Sequence, residues 1–140
     1  MAISSFDDFP VHQTSEYVRF PATSDRNFYD RYYFNCHDRD GTIFAIFGIG
    51  QYPNLGTTDA FACVTDGVQH RVVRASRPLV DRMQLGVGPI DVEVLDPLRR
   101  LHVTCDGQEH GLAFDLTWDG AIPAFEEPRQ YLRSMGKVVF

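Results

Sequence analysis

A chain of 140 residues, 44% hydrophobic and 13% aromatic, is long enough to bury one core without disulfides or a structural metal. Its 13 Lys and Arg against 19 Asp and Glu leave a formal charge of −6, which opposes binding to phosphate backbones and makes nucleic acid an unexpected partner. No basic stretch followed by an apolar one opens the chain, and the longest apolar run, Ile43–Ile49, falls far short of the ~20 residues a membrane span needs. A soluble protein without a membrane span is expected. Cys36, Cys63 and Cys105 form neither a CxxC pair nor a disulfide framework, so reduced thiols and a cytoplasmic location are predicted.

Residues 1–27 read as an N-terminal arm, extended or with a short helix over Ser4–Phe9. From Phe28 onward helical periodicity is nearly absent, and aromatic and β-branched runs alternate with Asp-Gly dipeptides at 40–41, 66–67, 106–107 and 119–120. Such dipeptides supply the positive φ of tight turns at low steric cost. The first strand is Phe28–Asn35 and the second, Thr42–Gly50, is apolar on both faces, which predicts a central or doubly covered strand. Thr58–Thr65 and Val68–Arg74 follow as a two-residue hairpin through Asp66-Gly67. Then come Ile90–Leu95, Leu98–Cys105 across Asp96-Pro97, and Gly111–Trp118.

In these later strands the alternation is clean. Ile90, Val92 and Val94 oppose Asp91 and Glu93, and Leu101, Val103, Leu112, Phe114, Leu116 and Trp118 form one apolar phase expected to be buried together. The class is therefore all-β, an antiparallel sandwich or lipocalin-like barrel of roughly seven to nine strands. Residues 28–120 make the β domain, and 121–140 a connector with one helical turn at Glu126–Arg133 and a terminal strand from Gly136 to Phe140. That strand has no partner in view. It pairs internally, with another chain, or with a later part of a longer protein.

Several strings carry a resemblance: Thr23–Asn35, the stretch Gly48-Ile49-Gly50-Gln51-Tyr52-Pro53-Asn54-Leu55-Gly56-Thr57-Thr58-Asp59-Ala60, Val87-Gly88-Pro89, Pro97–Leu101, Asp115–Trp118 and Glu126–Arg129. Over nearly its whole length the chain resembles the N-terminal half of an uncharacterised bacterial family. That family is similar to two-domain lipocalin-like proteins, among them carotenoid hydratases and fungal Diels-Alder cyclases. The resemblance implies a tandem arrangement, with a second lipocalin-like half or a homodimer mate as partner.

Chemistry-bearing groups are few. Asn35-Cys36-His37-Asp38 places ligand types side by side on a turn where they cannot converge on one ion, no Gly-x-Ser-x-Gly elbow occurs, and Gly48-Ile49-Gly50 lacks phosphate-loop spacing. No metal or cofactor is expected. Asp30 shares a strand face with Phe28, Tyr32 and Phe34, so an inward carboxylate there requires a salt bridge or a raised pKa, and Arg31 must point the other way. Asp59 shares its face with Phe61 and Cys63 and follows the turn of Tyr52 and Asn54, which places polar groups at the mouth of a barrel, although turn chemistry alone also accounts for Asn54 and Gly56. Glu126 and Glu127 with Arg129 form either an acid–base pair or a solvated charge run. The candidate ligand-binding set is thus Asp30, Tyr32, Tyr52, Asn54, Asp59, Phe61, Glu126, Glu127 and Arg129.

Two functions fit. One is a β shell whose aromatic lining, from Phe28, Tyr32, Phe34, Phe44, Phe47, Phe61 and Phe114, takes a hydrophobic small molecule such as an isoprenoid, steroid or polyketide. The other is a hydratase, cyclase or isomerase whose site a second domain completes. A structural or assembly role is the third possibility.

Overall fold

Period-two alternation builds an all-β molecule. The computed structural model describes residues 3–10 and 23–127, together with the backbone of 132–134 and 137–139. Strands β1 (Asp30–His37), β2 (Phe44–Tyr52), β3 (Thr57–Thr65) and β4 (His70–Pro78) form an antiparallel meander in that order. Strands β5 (Ile90–Asp96), β6 (Arg100–Gly107) and β7 (Leu112–Asp119) form a second meander. A separate hairpin pairs β8 (Leu132–Ser134) with β9 (Lys137–Val139).

The two meanders pack face to face as a sandwich. From the first, Phe34, Phe47, Ile49 and Ala62 turn inward; from the second, Ile90, Val92, Val103 and Leu112 do so, all buried. Rings close the centre: Phe47 lies 5.2 Å from Phe34, 5.0 Å from Phe114 and 5.6 Å, edge-on, from Trp118. The apolar phase of β6 and β7 faces this core as expected, with Val103 and Leu112 fully buried and Leu101, Phe114, Leu116 and Trp118 half-buried against it. The inner aromatic residues therefore pack on one another, and Phe44 and Phe61 stand on the opposite face of their sheet.

Turns differ from the reading in instructive ways. Gly41 and Gly67 do take positive φ, but Asp66-Gly67 is part of a four-residue connection, with the Asp66 carboxylate accepting from the Val68 and Gln69 amides. Thr65 consequently pairs with His70 and not with Val68, and β4 runs on to Pro78. The pairing shift is two residues, which keeps every side chain on its expected face. Gly107 has an ordinary φ of −102°, the turn being made by Gly111. A Cβ at 107 would sit 2.7 Å from the Leu112 carbonyl oxygen, so close backbone approach explains that glycine.

Three further expectations are corrected or redirected. The terminal strand has a partner within the chain, since Val138 pairs with Arg133. Leu132 and Arg133 are thereby extended, which removes the last residues of the expected helical turn at 126–133; Arg129 lies outside the described residues. Among its described residues the arm holds a 3-10 turn, Ser5–Asp8, capped reciprocally by Ser4 and Asp7, which docks on the domain. Asp8 accepts the amide of Leu98, the one described non-glycine residue with positive φ, and Tyr32 donates its hydroxyl to the Asp8 carbonyl. Burial raises the Asp8 carboxyl above its ordinary pKa against the opposing pull of that amide.

On the outer face of β5–β7, His102 bridges two strands: Nε2 lies 2.8 Å from Asp115 and Nδ1 3.7 Å from Glu93. The hydrogen bond to Asp115 raises the imidazole pKa. A raised histidine contributes stability that is complete below its unfolded pKa, about 6.5, and is lost as pH rises through the folded value. By NMR titration the His102 midpoint is expected above that of a free imidazole, and Asp115→Asn is expected to bring it down; an unchanged midpoint would show the bond to be idle.

Candidate functional site

Strand parity divides the expected site residues between two places. Asp30 and Tyr32 face inward near the docked arm, whereas Tyr52, Asp59 and Phe61 stand on the outer face of the four-stranded sheet. Asn54 is in the connecting 3-10 turn, Pro53–Leu55, where its amide donates to the carbonyls of Thr23 (2.9 Å) and Asp25 (2.7 Å) and ties the chain's start to that turn. Glu126 and Glu127 are exposed in an irregular segment.

The inner group is held by a residue that sequence reasoning missed. Arg82, from the irregular segment between β4 and β5, is 6% exposed and faces the Asp30 carboxylate at 3.3 Å. Its Nε donates to Gln51 Oε1 at 3.3 Å, Gln51 Nε2 donates to its carbonyl at 2.8 Å, and its guanidinium also reaches the Pro10 carbonyl. Burial lowers the arginine pKa and Asp30 opposes the effect. Burial likewise pushes the Tyr32 phenol well above its ordinary range. A cavity of about 300 Å³ lies here, between Asp7–Pro10 and β1. Its polar groups Asp30 and Tyr32 already engage protein partners.

The outer face has a different character, and two glycines shape it. Across the sheet, Arg74, Phe61, Gly48 and Tyr33 form one row, and Ser76, Asp59, Gly50 and Arg31 the next. Because residues 48 and 50 lack side chains, their cross-strand neighbours lean into the gaps. A Cβ at Gly48 would lie 2.5 Å from the Tyr32 carbonyl oxygen and 3.3 Å from Phe61 Cε1, and one at Gly50 would lie 2.9 Å from both Asp59 Oδ1 and the Tyr52 hydroxyl. Leaning towards β2 opens the other flank: a groove of about 510 Å³ runs between Asp59 and Phe61 on one side and Arg74 and Ser76 on the other.

Beyond Gly50 the polar groups are interlocked. Arg31 donates to the Tyr52 hydroxyl at 2.9 Å and lies 4.8 Å above the Tyr29 ring. The bond to Tyr52 raises the Arg31 pKa, and the Asp59 charge adds to the effect. Along the strands in the other direction, Ile46, Cys63 and Val72 share a row with Asn35, and Phe44 shares the next with His37, Thr65 and His70. Tyr33 (58%), Phe44 (42%) and Val72 (46%) are open to solvent, so β2 is central but the expected cover on its second face is not formed by the described residues.

The groove combines Phe61, Ala60 and Ala75 with Asp59, Arg74 and Ser76, apolar and polar groups that a small molecule could contact together. No curated protein and no solved structure matches this chain. A family model does: residues 3–140 match DUF8625, a family of unknown function, and the chain belongs to that family.

Proposed function

We propose that the protein binds a hydrophobic small molecule, of isoprenoid, steroid or polyketide type, in the outer groove of the four-stranded sheet. The observation that carries this reading is the pair of gaps at Gly48 and Gly50, which draws Phe61 and Asp59 aside and leaves an open groove beside exposed apolar residues. Two of the residues expected from sequence, Asp59 and Phe61, line it. The inner cavity is the weaker site because Asp30 and Tyr32 serve the fold. Free Cys36, Cys63 and Cys105 suit a reducing cytoplasm.

The test uses the neutral dye N-phenyl-1-naphthylamine, whose fluorescence rises in an apolar site. Wild type is expected to bind it saturably. Phe61→Ala removes the principal wall and should weaken binding about tenfold, the effect of an anchor residue. Gly50→Ala is the sharper variant. The atoms nearest its Cβ are side-chain ones, Asp59 Oδ1 and the Tyr52 hydroxyl at 2.9 Å and the Tyr52 ring at 3.0 Å, so these side chains give way and Asp59 is pushed back across the groove. Undiminished binding by both variants would place the ligand elsewhere.

The exposed Tyr33, Phe44 and Val72 favour a second reading, in which this face is covered by another lipocalin-like half or by a homodimer mate. Sedimentation separates the two: concentration-dependent association abolished by Phe44→Ser supports assembly, and a monomer that binds dye supports the groove.

A further inference from the structure

Resting on that binding reading, we infer that the groove takes an anionic amphiphile, a carboxylate on a linear apolar tail, with its head on Arg74 and Ser76 and its tail laid along β3 and β4. The head position follows from pairing. Of the arginines in β1–β7, Arg31 is bonded to Tyr52, Arg71 to Asp66, Arg77 to three backbone carbonyls and Arg100 to Asp119. Arg74 has no hydrogen-bond or ion-pair partner among the described residues, and neither has the Ser76 hydroxyl two positions along the same face.

Both groups line the groove. A guanidinium and a hydroxyl on one wall supply the donors a carboxylate needs, and such charge-assisted bonds are about twice as strong as neutral ones. Asp59, across from Ser76, lines the same groove, and Arg74 is the one cation among the described lining residues.

Charge distribution agrees with an anionic ligand. Asp59 is the only carboxylate among the strand residues on this outer face, while Asp91, Glu93, Asp106, Asp115 and Asp119 lie on the outer face of the other sheet. Among the described strand residues, the carboxylates other than Asp59 thus lie away from this face. The tail direction follows from the strand rows. From Arg74 the neighbouring positions are Phe61, then Cys63 and Val72 beside Ile46, then Thr65 and His70 beside Phe44, with no acid among them. Four residues of strand span ~13 Å at the usual rise, room for a medium-length alkyl chain.

Displacement of the bound N-phenyl-1-naphthylamine tests this with dodecanoate and dodecanol, which share a tail and differ in charge. Dodecanoate is expected to displace the dye from wild type at about tenfold lower concentration than dodecanol, and Arg74→Gln to abolish that difference without changing dodecanol. Equal potency of the two compounds on wild type, or equal weakening of both by Arg74→Gln, would overturn the carboxylate assignment while leaving apolar binding intact. Failure of wild type to bind the dye would instead overturn the binding reading itself. Phosphatidylglycerol vesicles form the last arm: sedimentation of the protein with vesicles, without displacement by free dodecanoate, would assign the face to a lipid surface and overturn the inference.

Discussion

Phe47→Ala is expected to destabilise the domain by about 3–5 kcal/mol, the range for removing a large buried aromatic side chain. Phe47 is 1% exposed and is the ring on which Phe34, Phe114 and Trp118 all converge, so truncation leaves a void walled by aromatic faces from both sheets. Those rings are anchored on two strands, β1 and β7, in fixed register and cannot all collapse inward. Against a typical total of 5–15 kcal/mol, the loss takes a large part of the stability. Phe114→Ala provides the internal comparison. Phe114 is only half-buried, so its removal forfeits less area and opens to solvent, and about 2 kcal/mol is expected. Chemical denaturation of both variants checks the ordering, and a greater loss at Phe114 would put the centre of the core on the second sheet.

How much of this was legible in the sequence depended on how each strand alternates. β5, β6 and β7 place acids, His102 and threonines on one phase and Ile, Val, Leu and aromatics on the other, so their faces could be read directly. β4 carries Arg71, Arg74 and Arg77 across both phases, and its length was correspondingly underestimated. Charged residues there sit at the sheet edge, where long side chains reach solvent or backbone carbonyls from either face. At the candidate site, Tyr52, Asp59 and Phe61 were recognisable as a group because they flank one turn. Separating Asp30 and Tyr32 from them required the register between β1, β2 and β3, which turn geometry sets and composition does not. The role of Gly48 and Gly50 was hidden for the same reason. It appears only once Phe61 is opposite Gly48 and Asp59 opposite Gly50.

The segment between β4 and β5 offered no periodicity at all, yet it supplies Arg82, and the second large effect is expected there. Asp30→Asn should cost about 3 kcal/mol, the low end for breaking a buried ion pair, because the Asp30 side chain keeps 16% exposure while Arg82 keeps 6%. The loss comes less from the missing attraction than from the arginine left charged and desolvated. Its bonds to Gln51 and the Pro10 carbonyl hold it in place and prevent it from swinging out to water. That distinction makes the double variant decisive. Arg82→Met together with Asp30→Asn removes both charges and retains an unbranched side chain of similar reach, so it should recover part of the stability lost by Asp30→Asn alone. Because Arg82 also joins Pro10 to the sheet, Arg82→Met on its own should loosen the arm, read as faster hydrogen exchange at the Leu98 amide that Asp8 covers. Unfolding midpoints for the single and double variants complete the cycle. Strictly additive losses would mean that Asp30 and Arg82 stabilise the fold independently, through the arm and Gln51, and that their 3.3 Å approach contributes nothing of its own.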